Sequence, residues 1–235
     1  LGLQITKSKA RFVFKYYPML FSQMFKEMTP KHVLLEKAVE LVKSVVYLHD
    51  KLKIVHRDIK SSNCCLSKSG RMVLIDFDTS VAGGTNICST LPVCTFSTAP
   101  PEFFRLEHER NVKVAEAELP EDKQNVMDSK QFCYDGFAAD FWSTACVVSE
   151  LFLCHELFTF HAGQDLMVHY ERLCLFSRNM QNGAAEGGGT STSQHPLVKI
   201  LKRRVPKEYA EFVWPLLQGS FSLDPSDRRS AINTF

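Results

Sequence analysis

The sequence predicts an α+β fold, mainly helical, with a few short strands near its start, and three observations carry that reading. Arg11 to Tyr17 (RFVFKYY) is crowded with aromatic and β-branched residues and stops at Pro18, as a strand running into an extended connection does. From Lys31 to Lys51 the apolar positions Leu34, Ala38, Leu41, Val45 and Leu48 recur at spacings of four and three, the stripe of an amphipathic helix begun by Thr29-Pro30. Ala138 to Phe160 is strongly hydrophobic, and its length suits a helix buried on most sides.

The remaining elements follow in order. Leu1 to Ile5 reads as a strand with no start methionine, which predicts further sequence ahead of Leu1. Lys53 to Leu66 alternates short apolar pieces with polar residues, and Arg71 to Phe77 (RMVLIDF) reads as a strand after the Ser69-Gly70 turn. Asp78 to Pro101, with Gly83-Gly84 and many Ser and Thr, is expected to be a loop, and a loop of that length is usually functional or disordered. Phe103 to Phe137 mixes charges of both signs around Leu119-Pro120 and is expected to be an insertion with at most a short helix. Asn182 to Gln194 (NGAAEGGGTSTSQ) has the composition of a flexible linker. Helical patterns resume from Pro196 to Leu217, and Asp224 to Phe235 carries a capped final segment.

Composition narrows the function classes. With 235 residues and 45% apolar content the chain can bury a sizeable core. Its 28 Lys and Arg against 26 Asp and Glu argue against a disordered polyelectrolyte and against a nucleic-acid partner. The most apolar stretch, Ala145 to Cys154, is interrupted by Ser149 and Glu150, so no membrane partner is expected. Eight cysteines show no CxxC pair, which predicts reduced thiols in an intracellular protein, cytoplasmic or nuclear, with neither zinc nor a disulfide framework. The histidines at 32, 49, 108, 155, 161, 169 and 195 show no ligand spacing and are assigned to surface or packing roles. The basic run Lys199 to Lys207 reads as a solvated helix face, with a nuclear-import or acidic-partner patch as the sharper alternative.

The chemistry is concentrated in His56-Arg57-Asp58-Ile59-Lys60-Ser61-Ser62-Asn63, followed thirteen residues later by Asp76-Phe77-Asp78. This resembles the eukaryotic protein kinase family, whose catalytic loop reads H-R-D-x-K-x-x-N and whose metal-binding motif reads D-F-G. Further matches fall in the same order. Thr95 to Glu102 (TFSTAPPE) resembles the segment closing the activation loop, Asp140-Phe141-Trp142-Ser143 the opening of the buried helix beneath the catalytic loop, and Asp224-Pro225 with Arg228 and Ser230-Ala231 a late motif. The resemblance implies a protein-kinase-like fold: residues 1–17 as a remnant of the small lobe and hinge, and 18–235 as the mainly helical large lobe.

It also implies roles. Asp58 orients a substrate hydroxyl and accepts its proton, and Lys60 contacts the γ-phosphate of ATP. Asn63 and Asp76 supply the hard oxygens that Mg²⁺ prefers. Lys15 to Tyr17 form the hinge that bonds adenine, Phe14 is the gatekeeper, and Cys65 lies under the adenine ring. Arg57 pairs with a phosphate on the activation loop, where Thr79, Ser80, Thr85, Ser89 and Thr90 are candidate acceptors. Phe77 and His56 stack, Asp140 bonds backbone near His56 and Arg57, and Glu102 pairs with Arg228. Lys60 together with Thr95 points to serine/threonine specificity. The expected partners are protein substrates, with a docking element in 103–137 as a possible regulatory contact.

Two departures set the alternatives. Asp78 stands where the family has glycine, and no glycine-rich loop, V-A-I-K lysine or glutamate helix precedes Arg11. The leading expectation is an ATP- and Mg²⁺-dependent serine/threonine kinase. The alternatives are a pseudokinase acting as a binding module and, last, a small-molecule phosphotransferase of related fold.

Overall fold

A computed structural model describes residues 2–5, 10–13, 15–17, 19–24, 29–90, 93–129, 132–182 and 195–232. The gatekeeper position Phe14 and residues 183–194 of the expected linker lie outside them. Strands β1 (Gly2–Ile5) and β2 (Ala10–Val13) pair antiparallel with Gly2 opposite Val13. Strand β3 (Met19–Leu20) is joined further along by β5 (Cys64–Leu66) and β6 (Met72–Leu74) in a three-stranded sheet of order β3-β5-β6.

Between them, helix α1 (Lys31–Tyr47) buries Leu34, Ala38, Leu41 and Val45, the positions its periodicity picks out. Its last turn widens into a π turn over Leu48–Leu52, closed by Lys53 in the left-handed region at φ 54°. The extra residue in that turn changes the register of the face, and His49 ends 3% exposed.

The segment expected to be a loop from Asp78 is partly regular. Strand β7 (Val81–Ala82) pairs with β4 (Ile54–Val55), strand β8 (Ile87–Ser89) pairs with β9 (Phe132–Tyr134), and a 3₁₀ turn covers Phe96–Thr98. Cys88 and Cys133 face each other across β8 and β9 and are joined by a disulfide. The expectation of reduced thiols throughout is corrected here, because strand pairing brings together two cysteines 45 residues apart in sequence.

The expectation of at most a short helix in 103–137 is also corrected. Helix α2 (Pro101–Glu116) and helix α3 (Pro120–Asp128) both begin on a proline in the first turn, where the missing N–H costs nothing. Pro101, Phe103 and Phe104 anchor α2 in the core, while pairs such as Arg105 with Glu109 at 2.9 Å line its outer face. The mixed charges are thus a helix surface.

Helix α4 (Gly136–Leu153) is the centre of the molecule. Asp135 caps it by accepting from the Ala138 N–H at 3.0 Å, and Cys154 ends it in the left-handed region at φ 64°, well before Phe160. Its mean hydropathy of 1.2 over 18 residues would suit a bilayer, yet 89% of that stretch is buried inside the protein's own core. Gly136 is required: a Cβ there would collide with Ile87 and Val55, so β8 and β4 could not approach the start of α4. Around α4 pack α6 (Pro196–Arg204), α7 (Ala210–Ser220) and α8 (Pro225–Ile232), and α5 (Leu166–Asn182) packs on α2 and against α6 and α7. The helical patterns expected from Pro196 to Leu217 are α6 and α7, separated by Pro206 and a 3₁₀ turn over Lys207–Tyr209. Trp142, Phe158, Phe176 and Phe221 form an edge-to-face aromatic cluster at their junction, each ring contributing roughly 1.5–3 kcal/mol through burial.

Candidate active site

Asp140, on the first turns of α4, organises the loop that follows β4. Its carboxylate accepts from the His56 N–H at 2.7 Å, the Arg57 N–H at 2.9 Å and the His49 Nε2 at 2.9 Å. Arg57 sits in the left-handed region at φ 70°, as does Asp76 at φ 67°. Such backbone costs a non-glycine residue about 1–3 kcal/mol, so it persists only where neighbours fix it, and the two amide bonds to Asp140 do so at Arg57. His56 Nε2 lies 3.0 Å from the Ile75 carbonyl and must carry the proton, which leaves Nδ1 to accept from the Asp58 N–H at 3.3 Å. The His56 carbonyl in turn accepts from Thr79 Oγ1 at 3.1 Å and Ser80 Oγ at 3.3 Å.

The polar centre is Asp58. Thr95 Oγ1 donates to Asp58 Oδ1 at 2.6 Å, and Lys60 Nζ stands 2.8 Å from Oδ2 while donating to Thr95 Oγ1 at 3.0 Å. Asn63 Nδ2 donates to the Asp58 main-chain oxygen at 2.9 Å and to Oδ2 at 3.0 Å. Burial pushes the Asp58 carboxyl up, but the hydrogen bonds from Lys60 and Thr95, the Lys60 charge and Asn63 outweigh it and hold the group below its ordinary value. An ionised carboxylate is therefore fixed within hydrogen-bond reach of an alcohol and an ammonium, the requirement for a group that receives an alcohol proton beside a negative reactant.

Asn63 and Asp76 suit a hard cation by their donor chemistry. Both Asn63 bonds use Nδ2 and leave its Oδ1 as an oxygen donor, and among the described residues no hydrogen bond or ion pair takes up the exposed Asp76 carboxylate. The Ile75 N–H donates to the Asn63 carbonyl at 2.9 Å, tying the strand end before Asp76 to Asn63. No group of three or more His, Cys, Asp and Glu with metal-site spacing occurs among the described residues. Phe77 packs against His56 with ring centroids 4.8 Å apart and the rings tilted at 56° instead of stacked, and it is 43% exposed. Asp78 is exposed and is not among the residues with positive φ, so the backbone there does not demand glycine.

The other expected residues are spread more widely. Glu102 and Arg228 meet in a bidentate pair, and the Arg228 guanidinium lies over the Trp142 ring at 5.2 Å. Arg57 Nε donates to the Thr79 carbonyl. Cys65 is buried in β5 opposite Leu20 and Val73, whereas Lys15 is exposed with its Nζ over the Tyr17 ring at 5.7 Å. No hydrogen bond or ion pair joins Lys15, Tyr17 or Cys65 to the Asp58 cluster among the described residues.

Two buried polar residues of the site went unrecognised in the sequence. His49 bonds Asp140 instead of serving as packing alone, and Glu150 on α4 accepts from Ser61 Oγ and from the Leu157 N–H at 3.4 Å. The signal for Glu150 was a lone carboxylate inside a strongly apolar helix, a placement rare without a partner.

Residues 4–116 match the family described as protein kinase domain. The chain is also 26% identical over 201 residues to a protein from Schizosaccharomyces pombe (strain 972 / ATCC 24843) named Protein kinase gsk3, a stretch covering 82% of this chain and 43% of that protein. The chain thus spans under half the length of that curated relative.

Proposed function

We propose that this chain, a eukaryotic-type protein kinase, transfers the γ-phosphate of ATP to serine or threonine hydroxyls of protein substrates. One observation carries the proposal: Asp58, Lys60 and Thr95 close a triangle of contacts at 2.6, 2.8 and 3.0 Å, with Asn63 bonded to the same carboxylate. Phosphoryl transfer asks a protein for positioning and charge neutralisation more than for covalent chemistry, and this cluster offers both. Asp58 holds the acceptor hydroxyl and takes its proton. Lys60 balances the negative charge of the transferring group, and Thr95 fixes the two against each other, which also orients an incoming aliphatic hydroxyl. Mg²⁺, when bound with the nucleotide, supplies charge neutralisation and a template for the phosphates, and Asn63 and Asp76 are the residues to hold it. The small-lobe and hinge assignment of residues 1–17, with Lys15 to Tyr17 toward adenine, belongs to this proposal.

A second use of the same fold, holding a protein partner without catalysis, is favoured by Asp78, which puts an additional carboxylate next to the metal-binding motif. The two are separated by measuring Mg²⁺-dependent transfer of labelled γ-phosphate from ATP to a generic basic protein. The full natural protein and its Asp58→Asn and Asp76→Asn variants are compared. Transfer to serine or threonine that both substitutions abolish supports the kinase. Absence of transfer from a folded parent that binds ATP no differently from its variants supports the binding module.

A further inference from the structure

The disulfide between Cys88 and Cys133 lies where its cleavage has a local consequence. Strands β8 and β9 are only three residues long and pair Ile87 with Tyr134, Cys88 with Cys133, and Ser89 with Phe132. Side chains alternate across such a ribbon, so Ile87, Phe132 and Tyr134 point into the core while Cys88 and Cys133 are exposed on the outer face. Their Cα atoms are 4.2 Å apart, as close as directly opposed antiparallel residues come. An isolated two-stranded ribbon is marginal in water, which leaves this one dependent on its few buried side chains and on the covalent bridge.

The other cysteines contrast with this pair. Cys64, Cys65, Cys146 and Cys174 are buried, Cys94 and Cys154 partly so. Burial pushes the thiols of Cys64, Cys94 and Cys146 well above the ordinary range, which makes them inert toward exchange. Cys88 and Cys133 are the two exposed cysteines among the described residues. Their bridge ties down the chain between β7, paired to β4, and Thr95, which lies seven residues beyond Cys88 in the Asp58 cluster. The Ser89 and Thr90 hydroxyls follow it directly. On the partner strand Tyr134, next to Cys133, lies close enough to the Arg57 guanidinium to feel its charge.

We propose that Cys88 and Cys133 form a reversible redox modification site, exchanged with dithiol reductants, whose reduction loosens residues 85–90 from the β8–β9 ribbon and exposes the hydroxyls of Ser89 and Thr90. In the reducing direction one thiolate of the dithiol attacks a bridge sulfur, forms a mixed disulfide and expels the other cysteine as a thiolate. The second thiol of the reductant then displaces the first cysteine. The protein gains two electrons and two protons as two thiols, and the reductant departs as its own disulfide. Exposed bridges are the ones such exchange reaches. The proposal stands whether or not the chain transfers phosphate, because it concerns the segment and not the reaction.

The test uses the full natural protein, oxidised with glutathione disulfide and then treated or not with dithiothreitol. Non-reducing digestion should yield a peptide linking Cys88 to Cys133. Reduction should speed amide hydrogen exchange at 85–90 and 132–134 at least tenfold and leave the amides of α4 unchanged. The Cys88→Ser and Cys133→Ser variants should exchange fast at the same amides with or without reductant while keeping the helical circular dichroism of the parent. Should either variant fail to fold, the parent with and without reductant still decides. A missing cross-linked peptide under oxidation, or a cross-link whose reduction leaves exchange at 85–90 and 132–134 unaltered, overturns the proposal.

Discussion

The guanidinium of Arg228 grips both carboxylate oxygens of Glu102, at 2.7 and 2.8 Å, and so ties α8 to the first turn of α2 across 126 residues of sequence. Arg228 is fully buried and its Nε also donates to the Ser222 carbonyl at 2.7 Å, while its ring-facing side rests on Trp142. Removing one partner leaves a buried charge without compensation. Arg228→Ala and Glu102→Ala should each cost ~3–5 kcal/mol in chemical denaturation. Arg228→Lys should recover little, because a point charge cannot make the paired bonds. A loss under about 1 kcal/mol for either alanine variant would mean the pair does not hold the two helices together.

Thr95 gives a sharper test of the site than Asp58 alone. Asp58→Asn keeps the shape and removes the base, so transfer should fall by about 10²–10⁴-fold while the helical circular dichroism stays that of the parent. Thr95→Val keeps the volume and removes only the hydroxyl that joins Asp58 to Lys60. It should lower kcat on the order of a hundredfold through misplacement, with little change in KM for ATP. Thr95→Ser should restore most of the rate. Equal rates for the valine variant and the parent would remove Thr95 from the positioning of the reactants.

What the sequence revealed and what it hid follow from the range of each signal. The stripe of α1 and the hydrophobicity of α4 are local patterns, and both helices are found where those patterns lie, with α4 ending early at Cys154 because only the left-handed turn there, invisible to hydropathy, stops it. Helix α3 buries no residue, so it leaves no apolar stripe, and its start is marked only by Pro120 with Glu121 and Asp122. The catalytic-loop motif is contiguous and easily read. The His49 contact with Asp140 spans 91 residues and depends on a π turn that no spacing announces. The pairing of Cys88 with Cys133 likewise depends on strand register, which is set by burying Ile87, Phe132 and Tyr134 and not by any cysteine spacing.

Asp78 is expected to matter for the metal and not for the fold. Being exposed and without positive φ, it can be replaced by glycine at a cost within about 1 kcal/mol. If its carboxylate draws Mg²⁺ away from Asp76, Asp78→Gly should lower the Mg²⁺ concentration needed for half-maximal transfer, whereas Asp76→Asn should raise it or abolish transfer. An Asp78→Gly protein with an unchanged Mg²⁺ dependence would show that the substitution of glycine in this motif is silent.

Glu150 makes stability depend on pH in a direction opposite to most carboxylates. Burial pushes its carboxyl up to about 7, the bonds from Ser61 and the Leu157 N–H offset that only in part, and Glu156 adds to the rise. Its neighbours Cys64 and Cys146 offer no positive charge. Between the ordinary glutamate value and pH 7 the folded protein therefore binds the proton that the unfolded chain has released, so stability falls as pH rises through that window, by roughly 3 kcal/mol in total. His169 acts in the opposite sense over nearly the same window: burial, with the Arg172 charge, lowers it to about 4, so the unfolded chain takes up a proton first and stability falls as pH drops from the ordinary histidine value toward 4. Between pH 6.5 and 5 the two contributions nearly cancel, so denaturant midpoints of the parent taken at pH 5, 6.5 and 8 should differ little. Glu150→Gln should unmask the His169 contribution, so that the midpoint falls from pH 6.5 to 5, while His169→Gln should unmask the Glu150 contribution, so that the midpoint rises over the same interval. A Glu150→Gln curve that runs parallel to the parent from pH 5 to 8 would show that the buried carboxyl carries no proton in the folded state.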